Sequence, residues 1–259
     1  MQTVKDKMQL DKKLILNLIL FCAFAGYLAF NGLLLARHEP WRDEANVWLM
    51  ARELSPAGLF AEIRYQGHPC LWYLIVMPFA KLGLPFRSIG FISYSIMAVT
   101  AGIYLFRAPI HPFVKAASLF SPAFSYFYAD IARNYCLIAL ILILLAVCYP
   151  KRNEKAVCYG LLLGLLVQAD TIAIAAAGMI SLMWLCENLW RSFKEKSPAA
   201  LWGIVKGIWI PLASLFLWVA QFYQVSDSAA FQMRFPEGRE FLSEIRNYSL
   251  WIMERLTGR

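Results

Sequence analysis

The stretch from Tyr135 to Thr171 reads YCLIALILILLAVCYPKRNEKAVCYGLLLGLLVQADT. Two uncharged apolar segments, Tyr135 to Tyr149 and Ala156 to Val167, flank a connection carrying Lys151, Arg152 and Lys155. Apolar runs like these recur along the whole chain, and a run of about 18 or more residues reads as a membrane helix. Composition agrees: 60% of the 259 residues are hydrophobic and 16% are charged, against about a quarter charged in a soluble domain. The net charge of +8 does not point to nucleic acid. Its lysines and arginines sit in short clusters between apolar runs, where they set membrane orientation.

Working outward, further segments run from Leu14 to Ala36, Pro69 to Leu84, Ile89 to Phe106, Pro112 to Tyr128, Thr171 to Trp190 and Leu201 to Phe222. The expectation is an all-α fold, a polytopic membrane helix bundle of about seven to eight apolar segments. Residues 1–222 form the transmembrane module, and 223–259 an external loop or amphipathic tail. The first run is longer than a signal-peptide core and lacks a clear cleavage site, so it is expected to stay as an uncleaved helix. The cysteines, Cys22, Cys70, Cys136, Cys148, Cys158 and Cys186, form no CxxC pair and read as small hydrophobes.

Charge then sets direction. The N-terminal lysines, the Lys151–Lys155 cluster and the Arg191, Lys194, Lys196 cluster belong inside. The turn carrying Asp170 belongs outside, and so do Arg37 to His68 and Asp130 to Tyr135. Three apolar pieces lie between these external stretches, and only an even number of them can span. Pro69 to Leu84, short and interrupted by Pro78, is expected not to span, with Pro112 to Tyr128 as the alternative. The resulting placement is a multi-pass protein of the inner (plasma) membrane with a cytoplasmic N-terminus.

The first external stretch, 37–68, is expected to hold an amphipathic helix from Asp43, with Ala45, Trp48 and Leu49 on one face. A second short helix opens at Ser55-Pro56, with Ser55 as N-cap, and presents Leu59, Phe60 and Ile63. Asp43 and Glu44 either cap the first helix or place a general base at the membrane boundary. Two adjacent carboxylates also leave a divalent metal open as a cofactor; none is certain, and a site would draw on Asp43, Glu44 or His38 with His68. In the second stretch Arg133 suits a lipid phosphate, unless it anchors at the interface or pairs with Asp130. Asp170 and Gln168 carry only a weak case for a site role.

Three motifs resemble the GT-C membrane glycosyltransferases, closest to the protein O-mannosyltransferase and aminoarabinose transferase-like groups. Trp41-Arg42-Asp43-Glu44-Ala45 resembles their "DE" motif. Tyr65-Gln66-Gly67-His68-Pro69-Cys70-Leu71-Trp72-Tyr73 resembles their "GHPPLWY" stretch, with Cys70 in place of the second proline. Asp130 to Tyr135 resembles their external arginine motif. The resemblance spans about Leu14 to Phe222 and implies sugar transfer from a polyprenyl-phosphate donor to an acceptor on the external face. It implies Asp43 as base with Glu44 beside it, Arg133, Tyr135 and His68 around the donor phosphate, and Arg42, Asp130 and Arg64 lining the site. Family members are longer, so this chain is expected to be a truncated form, one half of a split enzyme with a partner chain supplying helices, or an inactive remnant. Two other readings stay open: a transporter or flippase of a lipid-linked substrate, and a non-catalytic subunit of a membrane glycan-assembly complex.

Overall fold

The computed structural model describes residues 2–223, with side chains from Leu14 onward. The tail expected over 223–259 lies, from Gln224 on, outside the described residues. Among the described residues all regular structure is helical. The order is α1 (Gln2–Arg37), α2 (Arg42–Glu53), α3 (Pro56–Glu62), α4 (Leu71–Lys81), α5 (Ser88–Arg107), α6 (Pro112–Leu119), α7 (Tyr135–Cys148), α8 (Ala156–Ala169), α9 (Ala173–Glu195) and α10 (Ala199–Phe222).

Among the described residues, four helices are long and apolar enough to cross a membrane: Leu14–Arg37 within α1, and α5, α9 and α10. The chain is therefore a helical membrane protein in its coarse architecture. α4, α7 and α8 are apolar but shorter, so the seven to eight apolar segments are not seven to eight full-length spans. The 11 residues of α4 reach only about 16 Å, half of a hydrocarbon core of about 30 Å. Its last residue, Lys81, donates to the Arg52 carbonyl at the end of α2, at 3.3 Å, and α4 packs along α2. The turn after it brings Arg87, Ile89 and Gly90 to His38 and Glu44. α4 thus starts and finishes at the same end of the bundle.

The segment 112–128 is broken. α6 stops at Leu119, and a π-type turn follows over Ala123–Phe127. It runs back beside α5. At one end buried Lys115 donates to the Leu105 and Ala108 carbonyls at 2.6 and 3.2 Å, where α5 ends. At the other, the Tyr128 carbonyl accepts from Ser93 Oγ at 3.2 Å. An ammonium on the unpaired carbonyls of a helix C-terminus is satisfied by hydrogen bonds and dipole together.

α8 and α10 make the most extensive helix pairing, and glycine permits it. A Cβ on Gly160 would lie 2.2 Å from the Gly207 carbonyl oxygen, and one on Gly207 would lie 2.1 Å from that of Ala156. Small residues let membrane helices approach backbone to backbone. A polar ladder continues the contact toward one end. Ser214 Oγ donates to the Gly164 carbonyl at 2.7 Å, Gln168 Nε2 to the Ser214 carbonyl at 2.8 Å, and Gln221 Nε2 to Gln168 Oε1 at 2.6 Å. The opposite end is closed by Glu187, which accepts from Tyr149 and Arg152.

The amphipathic face of α2 differs from expectation. Its buried residues are Glu44, Val47, Trp48 and Ala51, whereas Leu49 is 48% exposed. The helix is rotated by the burial of Glu44, described below. α3 starts as expected, with Ser55 Oγ accepting from the Gly58 N–H at 3.0 Å. Leu59 and Ile63 are buried, while Phe60 is more than a third exposed.

The glycine contacts make a direct prediction. Gly160→Ala or Gly207→Ala should lower stability by about 1–3 kcal/mol, the usual cost of overpacking. Gly178→Ala and Gly203→Ala, where an added Cβ meets nothing within 4 Å, should be neutral or better. Melting temperatures of the four variants in detergent test this; equal behaviour of both pairs would remove the close-packing role.

Candidate functional site

Four separated stretches meet at the end of the bundle where α1 finishes and α2 begins. They form two linked clusters, one buried and one opening into a cleft.

The buried cluster centres on Glu44, whose side chain is fully buried. One carboxylate oxygen accepts from the Trp41 N–H at 2.9 Å, the back-bond of an acid in the first turn of a helix. The other accepts from the Ala132 N–H at 2.6 Å. His38 Nε2 lies 3.0 Å from this carboxylate, and His38 Nδ1 lies 3.2 Å from Asp130 Oδ2. Both imidazole nitrogens therefore face carboxylate oxygens. A carboxylate only accepts, so a proton must sit between His38 and Asp130 as well as between His38 and Glu44. Burial pulls the His38 pKa down, but Glu44 and Asp130 outweigh it and leave it above its ordinary 6.5. Burial raises the Asp130 pKa above its ordinary 3.8; His38 offsets this only in part, and Glu44 adds to it.

Asp43 is one residue before Glu44 and points elsewhere. Its side chain is 43% exposed, and Oδ2 lies 2.9 Å from Arg133 Nη1. Arg133 Nη2 lies 2.6 Å from His68 Nε2. A guanidinium has donors only, so Nε2 accepts and the His68 proton sits on Nδ1. Nδ1 is 3.2 Å from Asp170 Oδ2, a close electrostatic approach without hydrogen-bond alignment. Asp170 also accepts from Asn134 Nδ2 at 2.5 Å and the Ile172 N–H at 2.7 Å. Burial pushes its pKa up, but His68, the Ile172 N–H and Asn134 together hold it below the usual carboxylate range. The result is a chain Asp43–Arg133–His68–Asp170, with the Tyr135 ring 5.4 Å from the guanidinium carbon.

The loop carrying His68 is fixed from α8, α9 and α10. Gly67 adopts φ +74°, a left-handed conformation natural to glycine, and its carbonyl accepts from Thr171 Oγ1 at 2.9 Å. The Cys70 N–H donates to Gln221 Oε1 at 2.9 Å, joining this loop to the α8–α10 ladder.

The cleft has a volume of about 100 Å³ and is lined by Asp43, Asn46, Gln66, His68, Tyr73 and Arg133, with Trp72 among its apolar residues. The indole N–H of Trp72 is buried without a hydrogen-bond partner. Asn46 Nδ2 donates to Gln66 Oε1 at 2.6 Å across the rim.

Of the residues expected to form a site, Asp43, His68 and Arg133 line one cleft, with Tyr135 beside Arg133. Glu44 and Asp130 sit in the buried cluster and are not among the residues lining that cleft. Arg133 pairs with Asp43 and not with Asp130. Arg42 is 98% exposed, 4.0 Å from Asp43 Oδ1. Arg64 donates to the Ala61 carbonyl at 2.7 Å and is not one of the cleft's lining residues. Among the described residues, no group of three or more His, Cys, Asp or Glu side chains is arranged to hold a metal ion. His38 and His68 belong to different clusters. Asn134, Asn46, Gln66, Trp72 and Tyr73 had no site role assigned from sequence. Four of them fall inside the stretches 41–53 and 65–73, and Asp170 was signalled only as the lone charge at its hairpin tip. No family model, no curated protein and no solved structure matches this chain.

The buried cluster makes stability depend on pH. A raised histidine pKa contributes stability that is complete below 6.5 and is lost as pH rises through the higher folded value. Raised Asp130 acts in the same direction at lower pH, while Asp170, with its lowered pKa, contributes stability that is lost as pH falls below 3.8. The melting temperature should thus decline as pH increases above about 6.5, and His38→Gln should flatten that decline. A slope that survives the substitution would assign it to another group.

Proposed function

We propose that this chain is a membrane glycosyltransferase that moves a sugar from a polyprenyl-phosphate donor to an acceptor on the external face. The observation that carries this reading is the meeting of Asp43, His68 and Arg133, from three distant stretches, in one cleft beside the membrane-spanning helices. A carboxylate and a cation facing each other there suit the two demands of the reaction. The acceptor oxygen attacks the anomeric carbon, the bond to the phosphate oxygen breaks with its electron pair leaving on the phosphate, and the acceptor proton passes to Asp43. Arg133 stabilises the departing phosphate.

In the resting pair Arg133 occupies Asp43. An incoming phosphate competes for the guanidinium and frees the carboxylate for the acceptor hydroxyl. His68 and the Tyr135 ring hold the guanidinium in place as its partner changes. Glu44 and His38 keep the two loops in register and take no part in the proton transfer. Nucleotide sugars are cytoplasmic, and basic clusters at the opposite end of the bundle support an external cleft. A lipid-linked donor suits that side.

Two measurements test this reading. Cysteines introduced at exposed Glu39 and Lys151 should label from outside and from inside the cell respectively; the reverse pattern would put the cleft in the cytoplasm, with nucleotide-linked donors. Transfer from a panel of short-chain polyprenyl-phosphate hexoses and pentoses should fall about 10²–10⁴-fold in Asp43→Asn, the usual worth of a positioned base. The fold should hold, since the Asp43 side chain is partly exposed and lies past the N-cap, Trp41. Glu44→Gln should instead cost about 2–3 kcal/mol of stability, because its amide turns donors toward donors. Full transfer by a folded Asp43→Asn variant would sink the catalytic assignment. Donor binding without transfer by the native chain would favour the transporter or subunit readings.

A further inference from the structure

The end of the bundle opposite the Asp43 cleft carries a second, wider opening of about 600 Å³, between the start of α8 and the first turns of α10. Glu154, Lys155, Val157, Leu161, Trp202 and Lys206 line it. Lys206 stands about 10 Å along α10 from Ala199, on a helix long and apolar enough to cross a membrane. It is exposed and has no ion-pair partner among the described residues. An unpaired ammonium at that depth is costly unless it reaches headgroup level or meets an anion.

Lys155 faces the same opening from a different helix. It occupies the N-cap of α8, makes no side-chain capping bond, and is followed by no acid in the first turn. Serine, threonine, aspartate or asparagine usually caps a helix, and a cation there opposes the helix dipole. Two lysines and a helix N-terminus thus line one cleft, with Glu154 as its only acid among the described residues, where it makes no ion pair. The neighbouring cation Arg152 is already committed to Glu187 and to the Tyr149 ring, 3.8 Å away. Around the charges the surroundings are apolar. Trp202 is 69% exposed, as in an interfacial aromatic belt, and Val157 and Leu161 continue the wall toward the membrane.

We propose that this cleft binds an anionic phospholipid, with its headgroup phosphate between Lys155 and Lys206. The N–H groups of the first turn of α8 supply further donors, Trp202 lies at headgroup level, and Val157 and Leu161 meet the acyl chains. This proposal does not depend on the sugar-transfer reading; it requires only that α10 lie in a bilayer.

The experiment uses the full chain in detergent, titrated with phosphatidylglycerol, phosphatidylcholine or inorganic phosphate, with melting temperature and retained lipid in native mass spectrometry as readouts. Phosphatidylglycerol should raise the melting temperature and stay bound, whereas phosphatidylcholine and inorganic phosphate should do neither. Lys155→Gln and Lys206→Gln should each weaken phosphatidylglycerol retention about fivefold, the worth of one basic residue near an anionic surface. Lys151→Gln with Lys194→Gln, exposed lysines outside the cleft, is the control for diffuse attraction. Equal loss in the control pair, no preference for phosphatidylglycerol, or an equal response to inorganic phosphate would each overturn the proposal. Melting of each variant in phosphatidylcholine separates lost binding from lost fold.

Discussion

A fully buried carboxylate holds this end of the molecule together. Removing an ion from water costs several kcal/mol unless hydrogen bonds replace its hydration. Glu44 has such replacements from the Trp41 N–H, the Ala132 N–H and His38. Trp41 and His38 belong to the entry of α2, while Ala132 is 88 residues further along the chain. The charge can be buried at low cost only when the two loops touch in this register. Once they do, Asp43, about 100° around the helix, faces Arg133.

Two neighbouring acids therefore divide into different environments. Glu44 is enclosed and answered by donors from two loops; Asp43 is partly solvated and answered by one guanidinium. Arg133 is held on two edges, by a carboxylate and by a neutral imidazole nitrogen. His68 passes the constraint on to Asp170, whose own charge is stabilised by Asn134 and the Ile172 N–H. No two like charges touch along the chain.

Much of this was legible in the sequence. The 135–171 hairpin reads directly from apolar length and the Lys151–Lys155 cluster, and the counting of sides brings Arg37–His68 and Asp130–Tyr135 to one end. Short length and Pro78 marked α4 as an apolar helix that turns back. What sequence could not resolve was helical phase. Ala45, Trp48 and Leu49 make a reasonable apolar stripe, and only the hydrogen bonds of Glu44 rotate α2 onto Val47, Trp48 and Ala51. No pattern of apolar residues signals a buried acid. The same limit hid Asn134 and the role of Asp170, because their partners lie 36 residues apart in the chain. The break at Phe120–Pro122 went unread as well, since the composition of 112–128 stays apolar through it.

The glycine contact between α8 and α10 has a mechanical consequence. With backbones touching at Gly160 and Gly207, and with a ladder of polar side chains from Ser214 to Gln221, the two helices form one beam over the roughly 20 Å that α8 runs along α10. One tip of that beam carries Gln221 and is hinged to the backbone of Cys70, two residues from His68. A bilayer that changes thickness changes the tilt of its helices. The Gln221–Cys70 hydrogen bond thus ties the His68 loop to the helix whose tilt the bilayer sets.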